Sequence, residues 1–530
     1  MQTDEATPER QLAAIWQAWN KGDAQAAVAA CQALNRSHPR DAAGWHASSV
    51  IALQLGGAPP AFEFINRALE IEPGNPAWTR QQVRCLLALG QRPQALQAFD
   101  TLLASPPEDP EALAELALLA GELGRHETAR DLYRLATEGD PDNGRLLYNL
   151  AATQRFLGNL GAALSNVDRA LELNPNDPDA HYLRSSLKRW SPESNHVEAM
   201  QAALPVLEGN PVGEAQLCYA LAKELEDCAR FEESFGCLQR GARVRRRHIQ
   251  YDLAEDLEFI ATLAEVYDQS MLDRPADGFD SKAPIFVVGL PRTGTTLAER
   301  IISACDGVTT IGESTVFTRL VGAGAQQVNP SPQASRADLV RATRQIPFRQ
   351  LGEAYIQHAA PNGGRRFVDK FPQNSLNVGA IHRALPNARI VLLERHPMDS
   401  CYAMYKALFT DIYGFSYDLS ELGQYFAAHQ ALMRHWCERL PGKVFRLRYE
   451  DLVTDTEATA RALLEYCDLP WQEQCLDFQR NRQASTTASA SQVRQGIYTS
   501  SVGLWQNYRK QLQPLEQQLR DDGCMDAWPD

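Results

Sequence analysis

The sequence predicts an all-α solenoid of helical repeats followed by an α/β domain of three layers with a mainly parallel sheet. Three observations predict it. Residues of three types recur on one 34-residue register through the amino-terminal part. An apolar run, Ile285–Val288, ends in a Gly/Pro/Thr turn that opens an amphipathic helix. Further short apolar runs downstream alternate with helical stretches, and each run ends in polar residues.

The register is carried by prolines at 39, 73, 107, 141 and 175, by glycines at 22, 56, 90, 124 and 158, and by alanines at 27, 61, 95, 129 and 163. Each type has a job: glycine closes the first helix of a unit, alanine lets the two helices approach closely, and proline stops the second. Five units cover about residues 8–190, and the period and pattern resemble tetratricopeptide repeats. A further helix pair from Cys218 carries Ala229 in the glycine position, 71 residues after Gly158 instead of 68, so an irregular helical joint is expected near residues 190–210. The expected array spans 8–245. Such stacks present a concave groove, and the resemblance implies peptide or protein binding; Asn149, on a first helix, reads equally as a residue that hydrogen-bonds a peptide backbone and as a solvated polar one. Packing on a neighbouring domain or homodimerisation are the competing uses.

Residues 246–282 read as a connection. Arg243, Arg245, Arg246 and Arg247 form a charge run at a helix end, where cations suit the dipole and are normally solvated. A role in guiding an acidic ligand is the minority reading. Tyr251–Asp273 reads as one helix and RPADGFDSKAP as the linker.

The α/β domain is expected over 283–525. Ile285, Phe286, Val287 and Val288 are too few to span a membrane and too β-branched for a loop, so they read as a buried parallel strand. Gly289 and Gly294 let the following backbone curl so that N–H groups approach an anion. Thr295 and Thr296 stand at the helix start, where the positive dipole end favours phosphate or sulfate. The spacing Gly289-x4-Gly294 matches the ATP-binding P-loop, but Thr295 occupies the position of that motif's lysine, and the positive charge comes instead from Arg292. A P-loop-like anion cradle follows, with a guanidinium fork to hold the oxyanion.

Glu313 lies in a loop beside Gly312, one helix after the cradle. Arg336–Ala360 reads as helices and Pro361–Gly364 as a turn. RRFVDKF is a short strand ending in Asp369 and Lys370, and a strand's carboxyl end is where open α/β sheets place ligands. Strand Ile390–Leu393 leads to Arg395, with Pro397 opening the next helix. Val444–Tyr449 is a further strand, with Glu450 and Asp451 beyond it. The Ser/Thr-rich stretch with Arg494 and Tyr498, running to Trp505, is by position a lid and by composition a surface tail.

Together PRTGTT, GES, VDKFPQN, ERHPMDS, RYEDL and SASQVRQGIY resemble the sulfotransferase superfamily, on the side of its tyrosylprotein-type branch and of bacterial repeat-fused sulfotransferases, over about residues 283–510. The resemblance implies an enzyme using PAPS (3'-phosphoadenosine 5'-phosphosulfate) as sulfuryl donor, releasing PAP (3',5'-adenosine bisphosphate) and needing no metal. The acceptor is a hydroxyl or phenol, with tyrosine in a peptide or protein among the options. It maps 5'-phosphosulfate binding onto Arg292, Thr293, Gly294, Thr295 and Thr296, the general base onto Glu313 and the catalytic lysine onto Lys370. The 3'-phosphate arginine falls on Arg395, the adenine-side tyrosine on Tyr449 and the late serine on Ser489. Where the family commonly has a serine eight residues after that arginine, this chain has Ala403, leaving Ser400 or Arg494 to serve the 3'-phosphate.

The bulk numbers bound the reading. At 530 residues, length suggests about three domains. The hydrophobic share of 44% and charged share of 22% are those of an ordinary soluble chain. A net charge of -14 argues against a general nucleic-acid binder. The 11 cysteines are scattered without a CxxC pair or a Cys/His ligand spacing, which fits reduced thiols and no metal site. Met1–Arg10 is polar and acidic, and no apolar run reaches the roughly 18 residues of a membrane span, so a cytoplasmic location without membrane association is expected. Two other classes compete: a P-loop kinase-like phosphotransferase, and a non-catalytic repeat scaffold with a vestigial nucleotide-binding domain.

Overall fold

The computed structural model describes residues 7–275, 277–359, 366–409, 412–476 and 499–528. The chain forms two compact units, Met1–Leu157 and Gly158–Asp530.

In the first unit, helices Pro8–Asn20 and Ala24–Ser37, Ala42–Gln54 and Ala58–Ile71, Pro76–Ala88 and Arg92–Leu103, and Pro110–Glu122 and His126–Gly139 pack as successive hairpins, with Gly144–Leu157 after them. Each hairpin turns the same way. Gly22, Gly56, Gly90 and Gly124 adopt φ between +71° and +83°. The next N–H returns to a carbonyl five residues back, from Asp23 to Ala18, Gly57 to Ala52, Gln91 to Leu86 and Arg125 to Ala120. That closure satisfies carbonyls left open at a helix end, and it needs the left-handed residue the glycine supplies. Ala27, Ala61, Ala95 and Ala129 are all but fully buried. The core is a series of local clusters, such as Ile15, Ala27, Leu34 and Ile51, as expected when each repeat buries its apolar face on its neighbours.

The second unit opens with helices Leu160–Leu173 and Pro178–Leu187. An irregular stretch follows. Buried Trp190 donates its backbone N–H to Asp227 and its indole N–H to the Ser185 carbonyl, and the His196 N–H reaches Glu224 at 2.6 Å. Helix Val197–Ala203 and a 3-10 turn lead into the pair Pro211–Asp227 and Phe231–Arg247. Ala229 takes φ +58°, and the Arg230 N–H bonds the Leu225 carbonyl at 2.8 Å, so alanine closes this hairpin in the way glycine closes the others. The stretch read as one helix over Tyr251–Asp273 is two, Leu253–Val266 and Gln269–Leu272. Asp268 interrupts it because its carboxylate caps the second helix through the Met271 N–H. Arg246 is tied bidentately to Glu421 at 2.7 Å.

Five strands, β1 Pro284–Gly289, β2 Val308–Gly312, β3 Arg366–Lys370, β4 Arg389–Glu394 and β5 Val444–Arg448, pair in the order β2-β3-β1-β4-β5, every pairing parallel. β1 alternates between the two faces. Phe286 and Val288 join the core that includes Tyr219, Phe235 and Trp436, while Ile285 and Val287 join Ala298, Ile301, Ile302 and Leu463 on the other side. The three-layer domain is thereby built, and the last helix pair shares its larger core. Two elements differ from the sequence expectation. Val308–Gly312 is an edge strand where no strand is predicted. β5 ends at Arg448, because Tyr449 already heads helix Tyr449–Thr454. The crossover after β1 runs to β2 on one side of the sheet and the one after β4 runs to β5 on the other, so the neighbouring carboxyl ends of β1 and β4 flank the switch point where open sheets form a crevice. Among the described residues, no helix is long and apolar enough to cross a membrane.

Candidate active site

The crevice at the end of β1 is walled by the loop Gly289–Gly294. Gly289 takes φ +147°, and a Cβ there would lie 2.7 Å from the Leu393 carbonyl oxygen. Gly294 takes φ +100°, and a Cβ there would lie 2.5 Å from Tyr449. Neither position admits a side chain. Arg292 itself is left-handed at φ +68°, a conformation that costs a non-glycine residue energy and recurs at functional loops. Thr293 donates its hydroxyl to the Leu290 carbonyl at 2.7 Å, cinching the curl. Thr295 and Thr296 then open helix Thr295–Ser303, whose first N–H groups have no partner within the helix.

On one side of this loop, the last residue of β3 carries a cation. Lys370, with a side chain 1% exposed, pairs with Glu313, 43% exposed just past β2, and stands 3.9 Å from Glu299 on the cradle helix. A buried ammonium needs such partners. On the other side, Arg395 follows β4. Its guanidinium donates to the Arg292 carbonyl at 3.0 Å and the Ser501 carbonyl at 2.6 Å, and lies 4.7 Å above the Tyr449 ring. Its Nε is buried and has no hydrogen-bond partner among the described residues. The Tyr449 hydroxyl meets Ser501 at 2.9 Å. Glycine-walled loop, helix start and neighbouring guanidinium together fit a phosphate or sulfate oxyanion.

Ser400 is buried and turns its hydroxyl to the Arg395 carbonyl at 3.3 Å, so it supports that residue's backbone. Asp399 accepts from the Gly503 N–H at 2.7 Å, and His396 stacks on Trp505, docking the stretch from Thr499 onward beside Arg395. Of the stretch read as a lid, Ser501 reaches Arg395 and Tyr449, and Gly503 and Trp505 dock on Asp399 and His396. Ser489, Arg494 and Tyr498 lie outside the described residues, as does the turn Pro361–Gly364. The structure brings together Arg292, Thr293, Gly294, Thr295, Thr296, Arg395 and Tyr449 around the loop, with Lys370 and Glu313 paired at the adjoining strand ends. Sequence reasoning missed Glu299 and Ser501.

A sulfotransferase family model matches residues 284–473, and tetratricopeptide-repeat models match 81–144 and 122–187. The chain carries tetratricopeptide repeats followed by a sulfotransferase family domain. It is 29% identical over 402 residues to an uncharacterized protein of Aquifex aeolicus, covering 74% of this chain and 52% of that one. It is 26% identical over 210 residues to protein-tyrosine sulfotransferase A of Caenorhabditis elegans, covering 38% of this chain and 54% of that one. The matches thus span about half the length of these relatives. A tetratricopeptide-repeat protein of Thermus thermophilus aligns over 34% of this chain and 98% of its own, at 20% identity and a TM-score of 0.30.

Proposed function

We propose that this protein is a PAPS-dependent sulfotransferase acting on a hydroxyl or phenol, with tyrosine in a peptide or protein as the favoured acceptor. The observation that carries the reading is the pairing of Lys370 with Glu313 at the strand ends beside an anion loop that lacks the P-loop lysine. The donor supplies a sulfuryl group already activated by its phosphate. A sulfuryl group carries less negative charge than a phosphoryl group, so fixed cations can do what magnesium does in kinases. Arg292 and the loop N–H groups bind the phosphosulfate, Arg395 and Tyr449 hold the adenosine 3'-phosphate end, and Lys370 balances charge that develops on the oxygens of the transferring group. Glu313 receives the acceptor's proton at its carboxylate. The preference for tyrosine rests on what the relatives are named for, and the repeats supply contacts to the rest of a peptide.

Residues 8–245 are on this reading the repeat array, 246–282 a connection and 283–525 the transferase domain. The test is transfer of labelled sulfate from PAPS to acceptors in a cell lysate, with and without EDTA, and mass spectrometry of the product. Sulfated protein formed equally in EDTA supports the reading. Label passing from γ-labelled ATP only when magnesium is present would establish the kinase alternative, and PAP binding with no transfer would establish the scaffold.

A further inference from the structure

Glu299 occupies a position that the binding of donor and acceptor does not explain. It lies on helix Thr295–Ser303, one turn on from the loop threonines Thr295 and Thr296, and is itself 7% exposed. Its two oxygens face different elements. One accepts the Thr310 hydroxyl at 2.5 Å, and the other stands 3.9 Å from the Lys370 ammonium. Thr310 in turn accepts the N–H of Gly312 at 3.1 Å. This occurs where the β2–β3 register slips between Thr310 and Gly312, and where Gly312 turns left-handed at φ +67° just before Glu313. A continuous chain of contacts therefore runs from Lys370 through Glu299, Thr310 and Gly312 to the backbone that presents Glu313, and closes through the Lys370–Glu313 pair.

We infer that Glu299, acting with Thr310, is a positioning residue for sulfuryl transfer: it is the permanent counter-ion of Lys370 and the brace of the Glu313 turn. The inference rests on the sulfotransferase reading above. Its logic is charge balance. When Glu313 takes the acceptor's proton it ceases to be an anion, and a buried ammonium left with no anion is strongly disfavoured. With Glu299 in place the lysine keeps one carboxylate throughout. Glu313 is free to take the acceptor's proton and become neutral, and Lys370 with Glu299 stays a balanced pair. Glu299 touches neither reacting atom, so its effect falls on turnover and spares nucleotide affinity.

The experiment compares Glu299→Gln, Thr310→Val and Thr310→Ser in the full chain. The readouts are labelled-sulfate transfer from PAPS to p-nitrophenol and to a tyrosine-containing peptide, PAP affinity by calorimetry, and thermal midpoint. Glu299→Gln keeps the shape and removes the charge. It is expected to lower kcat about tenfold or more, with PAP affinity within about twofold of the parent, since a carboxylate lost beside a cation is worth at least one decade. Thr310→Val, losing the hydroxyl, is expected to lower kcat in the same direction, and Thr310→Ser to restore it. A parent that transfers sulfate while Glu299→Gln matches its kcat overturns this inference alone. So does a loss in which PAP affinity and thermal midpoint fall in step with kcat, or a Thr310→Ser variant as impaired as Thr310→Val. A parent that transfers no sulfate to either acceptor removes the sulfotransferase reading, and this inference with it.

Discussion

Lys370 and Glu313 are joined across the carboxyl ends of β3 and β2, the ammonium sealed from solvent and the carboxylate open to the crevice. The pairing divides two tasks between residues 57 positions apart. The cation is fixed by its burial, while the carboxylate keeps one side available to an incoming hydroxyl. Glu313→Gln retains the hydrogen bond from Lys370 and loses the ability to take a proton. Turnover is expected to fall by roughly 10²- to 10⁴-fold, the usual weight of a general base, with PAP affinity nearly unchanged. Steady-state transfer assays beside calorimetry check this, and near-normal turnover would remove Glu313 from the mechanism.

Arg395 is expected to read the 3'-phosphate through its planar fork. Arg395→Lys keeps a positive charge but cannot donate to both the Arg292 and Ser501 carbonyls while lying over Tyr449. The affinity for PAP is expected to drop about tenfold or more, from the loss of charge-assisted hydrogen bonds, while adenosine 5'-phosphosulfate, which lacks the 3'-phosphate, loses little. Competition binding with the two nucleotides measures the difference. Equal losses would mean that Arg395 supports the loop and does not read the phosphate.

Ala229 sits in a left-handed turn that its five counterparts fill with glycine. A left-handed alanine costs about 1–2 kcal/mol, and glycine gives back about 0.4–1 kcal/mol through the freer unfolded chain. Ala229→Gly is therefore expected to stabilise the protein by roughly 0.5–1 kcal/mol, read as a higher urea midpoint at unchanged slope. A lower midpoint would show that the methyl group makes packing contacts worth more than the strain.

Much of this was legible in the sequence because it depends on local backbone demands. Gly22, Gly56, Gly90 and Gly124 announce their turns, and Ala229 was recognisable only because the surrounding pattern specified a left-handed residue there. The anion loop was legible for the same reason, since Gly289 and Gly294 are needed for shape alone. What escaped depends on partners distant in sequence. β2 has one buried residue, Val308, and its threonines carry no apolar run, so nothing local marks a strand whose pairing is supplied by β3. Tyr449 continues the alternation of β5, and only its tertiary setting makes it a helix start. Glu299 left no local signal, since its neighbours one turn away, Thr295, Thr296, Ile302 and Ser303, make a mixed face, and its partner Lys370 is 71 residues away.

Asp369, next to Lys370 but on the opposite face of β3, offers a test in pH. Its side chain is fully buried and accepts from the Tyr355 hydroxyl at 2.7 Å and from Asn374 at 3.3 Å. Burial pushes its carboxyl up from 3.8 to about 7, the Tyr355 hydrogen bond only partly offsetting it, with Glu299 adding to the rise and Lys370 opposing it. Because the folded value lies above the unfolded one, the folded chain keeps a proton that the unfolded chain has shed between about pH 4 and pH 7. Stability contributed by the protonated acid is present below that interval and is lost as pH rises through it. Buried His429 and half-buried His382, lowered by desolvation to about 3 and about 4, act with the opposite sign, since the unfolded chain protonates first as pH falls. Comparing Asp369→Asn with the parent at each pH cancels the histidine contribution. The two proteins are expected to be of similar stability near pH 4. Up to pH 8 the variant is expected to gain on the parent by an amount on the order of 4 kcal/mol, at about 1.4 kcal/mol for each pH unit separating the folded and unfolded values. Urea unfolding at intervals from pH 4 to pH 8 measures it, and a stability difference that stays flat across that range would mean Asp369 is ionised in the folded protein throughout.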